Sequence, residues 1–545
     1  MTGVTGQQRS STDGGRESRR PRGPGRAGRV LRLLLGALSG LLAAAASLGV
    51  AELVSAAVRP EASPVVAVGG AVIDRTPASV KDYAVRHFGT DDKLVLQLGI
   101  VALLGLFAVL LGVTALRFRR AGCAGVLVFG GVGAVAAWSR PERQGLDVLP
   151  SVAGALAGVA VLWVLSGRLA AAPPAAVPAP GPAFDRRRFV VAATATAAAS
   201  AAAGVLGRAL NARSGAAAAA SRTAVVLPRP ASAAAPVPRG AHLAVPGVSP
   251  FLTPSGSFYR VDTALVVPKV DATTWRLRLH GLGVARELTY TYQDLLNRPL
   301  IERDITLTCV SNEVGGPYVG NARWIGVRLA DLLREAGVRA PSRGGPADQL
   351  VARSVDGMTI GSPVETVLDG RDAMLALGMN GRPLPFAHGF PVRVVIPGLY
   401  GYVSACKWLS ELELTTFDAF DAYWVRRSWS RQAPVKTESR IDTPKPFATP
   451  RAGRVAVAGV AWAQHRGIDR VELRVDAGPW HTARLAAEDT ADTWRQWVWT
   501  WDATPGTHRI EVRATDRDGH TQTDERAGTV PDGATGWHSV VVDVT

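Results

Sequence analysis

At 545 residues the chain is too long for one ordinary core, and two or three domains are expected. Its formal net charge of +16 does not argue for nucleic acid. Arginines crowd the N-terminal tail (Arg16, Arg19, Arg20, Arg22, Arg26, Arg29, Arg32) and the flanks of apolar stretches, and no basic stripe interleaved with aromatics follows.

Residues 1–29 read as a basic cytoplasmic tail, and residues 30–210 as an all-α transmembrane region of about five helices. The apolar stretches are Val30–Val58, Leu94–Leu116, Gly122–Trp138, Leu146–Leu165 and the alanine-rich Phe189–Leu206. A hydrocarbon core takes about 20 apolar residues as a helix. "RFRR" (Arg117–Arg120) and "DRRR" (Asp185–Arg188) are cytoplasmic flanks by the positive-inside rule, whereas the mixed-charge loop Arg59–Lys93 suits the outer side. Everything after about residue 210 is then extracytoplasmic, on a multi-pass protein of the cell membrane. "DRRRFVV" (Asp185–Val191) also resembles a twin-arginine export motif, with Asp185 where Ser or Thr is usual, and a plain basic flank explains it equally well. All nine histidines fall outside the five stretches, so the bundle is read as an anchor or a partner-binding bundle without haem. Ala170–Ala183 and the Ala/Pro-rich segment 211–250 read as tethers that cannot build a core of their own.

From about Pro250 the texture changes. "WRLRLHGL" (Trp275–Leu282), "ITLTCV" (Ile305–Val310) and "PVRVVIPG" (Pro391–Gly398) read as strands, and "VRLADLLREAG" (Val327–Gly337) as a helix closed by glycine. Residues 251–432 are therefore expected to be α+β. Residues 433–545 alternate in short strands with Gly, Asp and Pro turns, the pattern of an immunoglobulin-like β-sandwich.

Cys309 stands alone at the end of an apolar run. No CxxC or HExxH suggests zinc, "GLGVAR" (Gly281–Arg286) lacks the third glycine of a dinucleotide loop, and no GxSxG elbow occurs. With Cys123 inside an apolar stretch, three cysteines give no disulfide framework, although a Cys309–Cys406 bridge stays open. A lone buried cysteine ordinarily fills a small apolar space, and these residues by themselves leave that open.

The stretch "TLTCVSN…GNARWIGVRLADLL" resembles the cofactor-binding region of the sulfite oxidase family of molybdopterin-dependent oxidoreductases. "ALGMNGRPLPFAHGFPVRVVIPGLYGYVSACKWL" (Ala376–Leu409) resembles a second segment of that family, and "FYRVDTALVVP" (Phe258–Pro268) its opening Phe-x-Arg. The likeness spans about Phe251 to Thr545 and implies a sulfite-oxidase-type molybdopterin domain, with a C-terminal sandwich of the kind that dimerises in relatives. By this resemblance Cys309 binds molybdenum of the molybdenum-molybdopterin cofactor, and a thiolate is the soft ligand that metal takes. Asn312, Asp356, His388, Arg393, Ser404 and Lys407 match cofactor contacts, and Arg260 serves cofactor or substrate.

The family pattern also breaks. Glu313 follows Asn312 where sulfite-oxidising members carry arginine, Leu377 replaces a tyrosine, and the opening Phe-x-Arg-Asn-His has become Phe258-Tyr259-Arg260-Val261-Asp262. A sulfite dianion needs converging cations, so a sulfoxide-like substrate is favoured. Glu313 is read either as a catalytic proton donor or base, or as an exposed carboxylate without a role. The chain is expected to be a membrane-anchored two-electron oxo-transfer enzyme using a separate electron-transfer partner, since no haem-attachment CxxCH or iron–sulfur cysteine set occurs. The rival expectation is a non-catalytic surface module that kept the fold and binds a partner.

Overall fold

The computed structural model describes residues 26–77, 80, 87, 92–140, 145–169 and 186–545. The tail before residue 26, the linker 170–183 and Asp185 of the paired-arginine motif lie outside the described residues. Among the described residues, five helices are long and apolar enough to cross a membrane: Arg29–Val58, Lys93–Ala115, Arg119–Trp138, Leu149–Leu169 and Arg187–Ala224. The last runs well past Leu206, because Ala216 to Ala220 continue it with the strongest helix former.

The chain divides into two compact units. The first gathers helical segments up to Val54, Leu96–Val132 and Leu149–Val205. Small residues set its packing: a Cβ at Gly40 would meet the Ala108 carbonyl oxygen at 1.9 Å, and one at Gly112 the Gly36 oxygen at 2.2 Å. Apolar helices in lipid gain little from burial against one another and associate by such close backbone approach.

The second unit holds Ser55–Val95, Gly133–Val148 and Leu206–Thr545. Its α+β part is built on two sheets. One orders the strands Leu288–Thr291, Arg276–Gly281, Leu409–Thr415, Gln349–Ser354 and Thr359–Pro363, with Arg276–Gly281 parallel to Leu409–Thr415 and the other pairings antiparallel. The other pairs Leu300–Thr308 with Val319–Arg328, then Met374–Met379, which also pairs Arg393–Val395. The helix expected from Val327 begins at Leu329, since Trp324 to Arg328 finish a strand, and it closes on Gly337 at φ +83°.

The C-terminal part is two four-stranded sheets: Glu438–Thr443, Gly453–Trp462, Arg495–Ala503, Arg484–Leu485, and His481–Thr482, Ile468–Val475, Gly506–Asp516, His538–Val544. Val457 and Trp497 of the first sheet share a core with Val471, Leu473 and Ile510 of the second. Gln464 Nε2 of this part donates to the Thr306 carbonyl at 3.1 Å and to Thr308 Oγ1 at 2.8 Å, which fixes the strand that delivers Cys309. The Ala/Pro-rich residues 225–250 are extended but held. Leu243 N–H donates to Gln496 Oε1 at 2.6 Å, Ser249 N–H donates to Asp442 Oδ2 at 2.9 Å, and Ala241 is buried. A segment that cannot make a core is ordered here by neighbours that can.

Candidate active site

Cys309 follows directly on the strand Leu300–Thr308. Its N–H donates to the Tyr318 carbonyl at 2.9 Å, and its own carbonyl accepts from Asn312 N–H at 3.1 Å. Asn312 Oδ1 takes the Tyr318 N–H at 2.7 Å, closing the loop between them. The thiol is thus carried by a loop tied at both ends and is 8% exposed. Among the described residues no disulfide joins Cys309 to Cys406.

Cys309, Asp356, His388, Arg393 and Lys407, far apart in sequence, line one cavity. Arg260, Asn312, Glu313 and Ser404 are not in its wall. Arg260 turns to Asp262 Oδ2 at 3.7 Å. Ser404 Oγ donates within its own turn, to the Leu399 and Tyr400 carbonyls at 3.0 Å each. Glu313 is exposed. The wall also contains residues that sequence reasoning passed over: Tyr259, Asp262, Met358, Trp424 and Trp429. Asp262 was visible as a break in the Phe-x-Arg-Asn-His opening, whereas the tryptophans carry no local signal. Trp324 is a core residue: its Nε1 donates to the Ile305 carbonyl at 3.1 Å and it is fully buried.

Charge in the wall is tightly managed. Arg393 is 6% exposed, its Nη1 donates to the His388 carbonyl at 3.3 Å, and its guanidinium lies 5.0 Å from the centre of the Trp324 ring. Burial pushes it down to about 10. Lys407 Nζ bonds Asp262 Oδ2 at 2.8 Å; burial lowers it to about 8 even though Asp262 opposes that. Asp262 is itself pushed up by burial, but Lys407 and Lys93 outweigh this and hold it at about 2. Burial and then Arg393 take His388 down to about 4, so its ring is neutral at physiological pH. His388 Nε2 lies 2.9 Å from the Ser255 carbonyl, which can only accept; the proton therefore sits on Nε2 and Nδ1 is left as an acceptor.

The backbone between these groups is strained where it serves them. Trp408 adopts φ +50°, rare for a bulky side chain, and is held there by its Nε1 bond to the Phe386 carbonyl at 2.7 Å. Gly389 sits at φ +106°, where a Cβ would press on Lys407 and Arg393 at 3.0 and 3.1 Å, so glycine lets the histidine, arginine and lysine segments close up.

The wall fits a cofactor with a soft metal and an anionic tail. The buried Nε of Arg393 has no hydrogen-bond partner among the described residues, although a buried guanidinium normally satisfies every donor. A phosphate oxygen is the acceptor that a guanidinium fork matches best. Lys407 is close by in the same wall, and Cys309 supplies the sulfur.

The fold and wall define a molybdopterin-binding oxidoreductase domain: residues 264–424 match the oxidoreductase molybdopterin binding domain family. The similarities below support a place for this domain beside the sulfite oxidase family of these enzymes. It is 30% identical over 288 residues to the mitochondrial sulfite oxidase of Homo sapiens, an alignment covering 45% of this chain and 52% of that protein. It is also 34% identical over 196 residues to nitrate reductase [NADH] 1 of Oryza sativa subsp. japonica, covering 32% of this chain and 21% of that protein. Among solved structures, the sulfane dehydrogenase SoxCD from Paracoccus pantotrophus aligns with a TM-score of 0.47 and 25% identity, over 55% of this chain and 85% of that one. The chain spans about half the length of the sulfite oxidases it matches.

Proposed function

We propose that the chain is a membrane-anchored molybdopterin oxidoreductase that transfers an oxo group to or from a small, uncharged, sulfoxide-like substrate in preference to sulfite. The observation that carries this reading is the cavity in which the Cys309 thiol shares a wall with the buried Arg393 and Lys407. Cys309 holds molybdenum as a thiolate, Arg393 and Lys407 hold the phosphate, and His388 and Asp356 meet the polar pterin edge. When bound, the cofactor supplies a metal that cycles by two electrons. The chain's own residues then do three things: they fix the metal's position, exclude water with aromatic walls, and keep His388 as a neutral acceptor.

Substrate charge follows from what the wall lacks. Lys407 and Arg260 both face Asp262, so their charge is already opposed, and Glu313 stands where an arginine would add more. Tyr259, Val261, Met358, Trp424 and Trp429 give the wall a largely apolar surface suited to an uncharged molecule. A separate protein exchanges the electrons, and the C-terminal sandwich serves as a dimer surface.

The catalytic part is extracytoplasmic. Five spans put the loops after the first and third on the same side as everything after the fifth. Contacts made by those two loops support the shared side: Tyr423 Oη donates to Asp74 Oδ1 at 2.6 Å, Arg427 to the Asp74 carbonyl at 3.0 Å, and Arg140 pairs with Asp74 at 2.7 Å. The basic flanks assign that side to the exterior.

The test is metal and turnover in the full chain purified in detergent from a molybdate-replete host. Molybdenum equimolar with protein, reduction of sulfoxides by a reduced viologen, and loss of both in Cys309→Ser are expected. Wild-type protein without molybdenum, or Cys309→Ser with an unchanged metal spectrum and turnover, overturns the reading.

A further inference from the structure

Asp262 divides its two oxygens between two lysines. Oδ2 accepts from Lys407 Nζ at 2.8 Å, and Oδ1 accepts from Lys93 Nζ. Lys93 also donates to the Ala264 carbonyl at 2.6 Å, so it grips both ends of the short segment that forms the cavity edge. The three side chains are 18%, 4% and 10% exposed for Lys93, Asp262 and Lys407, which limits solvent screening of the cluster. Lys93 comes from the first turn of the helix Asp92–Ala115, at the edge of a candidate membrane span, and is 169 positions from Asp262 in sequence.

The charge count gives this contact its meaning. Asp262 and Lys407 alone are a neutral pair, whose ammonium is bound to a carboxylate and attracts an anion weakly. With Lys93 on the other oxygen the cluster is cationic, and the ammonium of Lys407 is shared less completely with Asp262. Arg260 cannot substitute well: its Nε is 3.7 Å from Oδ2 and its side chain is 34% exposed. In water the effect would be small, but in a buried wall one uncompensated charge decides whether an anion stays.

We propose that Lys93 is a positioning residue for the anion-binding end of the cofactor cavity. By engaging Asp262 it leaves Lys407 available to the cofactor's phosphate, so cofactor retention depends on the juxtamembrane start of a candidate membrane helix. This rests on the cofactor reading above.

The experiment measures molybdenum per chain by mass spectrometry, and pterin by fluorescence after oxidation, in full-length protein passed through gel filtration in detergent. Lys93→Met lowers both on the order of tenfold, as expected for one lost unit charge at contact distance in a partly buried site. Lys93→Arg keeps both. The double variant Lys93→Met with Asp262→Asn restores them, because the carboxylate that sequesters Lys407 is gone. Full retention in Lys93→Met overturns the proposal. So does failure of the double variant to recover, which would make Lys93 an anchor of the fold and nothing more. Wild-type protein without molybdenum instead sinks the cofactor reading itself, which keeps the two failures distinct.

Discussion

Replacing Arg393 by methionine should stabilise the cofactor-free protein while destroying its ability to hold the cofactor. The guanidinium is 6% exposed, and the groups favouring its charge are the Tyr259 phenol and the Cys406 thiol rather than a carboxylate. Its fall from the ordinary guanidinium range to about 10 corresponds to about 3 kcal/mol against the charged form. The sign follows from where those values lie. At neutral pH the group is charged both folded and unfolded, so the whole cost is present, and it is relieved only as pH rises above about 10 towards the ordinary guanidinium range. Against this stand the 3.3 Å bond to the His388 carbonyl and the stacking on Trp324, together roughly 2 kcal/mol. The methionine variant without cofactor should therefore be about 1 kcal/mol more stable, a rise of roughly 2–4 °C for a domain of this size.

With cofactor the order reverses. Wild type should gain the binding free energy, whereas the variant would lack the fork proposed to hold the phosphate. The assay compares melting of both proteins by near-ultraviolet circular dichroism at one scan rate, prepared from hosts with and without the pterin pathway. A variant that melts lower than wild type in the cofactor-free state, or that retains molybdenum, refutes the reasoning. Residues that act on a ligand are commonly destabilising without it, so a crossing of the two orders marks Arg393 as kept for binding and not for packing.

Three further outcomes are expected. Burial holds Glu438 up to about 8 despite Lys436 and Arg526, so the folded chain keeps a proton that the unfolded chain releases. The Glu438 contribution to stability should be lost as pH rises from about 4.5 to about 8, by on the order of 5 kcal/mol, and the difference in melting between wild type and Glu438→Gln should change across that window. Asn312→Ala removes the acceptor for the Tyr318 N–H and should cost about 1–3 kcal/mol, read as faster hydrogen exchange at Tyr318 and weaker metal retention. Trp324→Ala, at a fully buried position, should cost roughly 3–5 kcal/mol in thermal unfolding, and an unchanged midpoint would remove it from the core.

What could be read from the sequence was what local pattern encodes. Apolar runs gave the five helices, and alternation gave the strands of the two C-terminal sheets, because both follow from the residue periods of helix and strand. The wall residues Cys309, His388, Arg393 and Lys407 were legible through their order within specific motifs. Asn312 and Ser404 lie in the same motifs but turn their side chains to the backbone, closing the turns that aim their neighbours; a motif does not separate the residue that points in from the one that holds it. Lys93 was illegible for a different reason. Its partner is 169 positions away, and only the folded chain brings a helix start to the cavity edge.

Similarity to known proteins leaves the substrate open, since the relatives are named as sulfite oxidase and as nitrate reductase. The discriminating quantity is the net charge that a substrate meets beside Cys309. Arg393 is buried against Trp324 and the His388 carbonyl. Lys407 and Arg260 both converge on Asp262, the residue that replaces the histidine of the family's opening motif. An aspartate there does two things that a neutral histidine cannot: it draws the Lys407 and Arg260 side chains onto itself, and it recruits Lys93 to the anion-binding end of the cavity. A dianion approaching this wall would find cations already opposed by a carboxylate and surrounded by Tyr259, Trp424 and Trp429, whereas an uncharged molecule would lose little solvation on entering. Asp262→His is therefore the substitution that should shift selectivity towards anions, and a kcat/KM ratio for sulfite over a neutral sulfoxide that stays unchanged in that variant would show that the wall's charge does not set it.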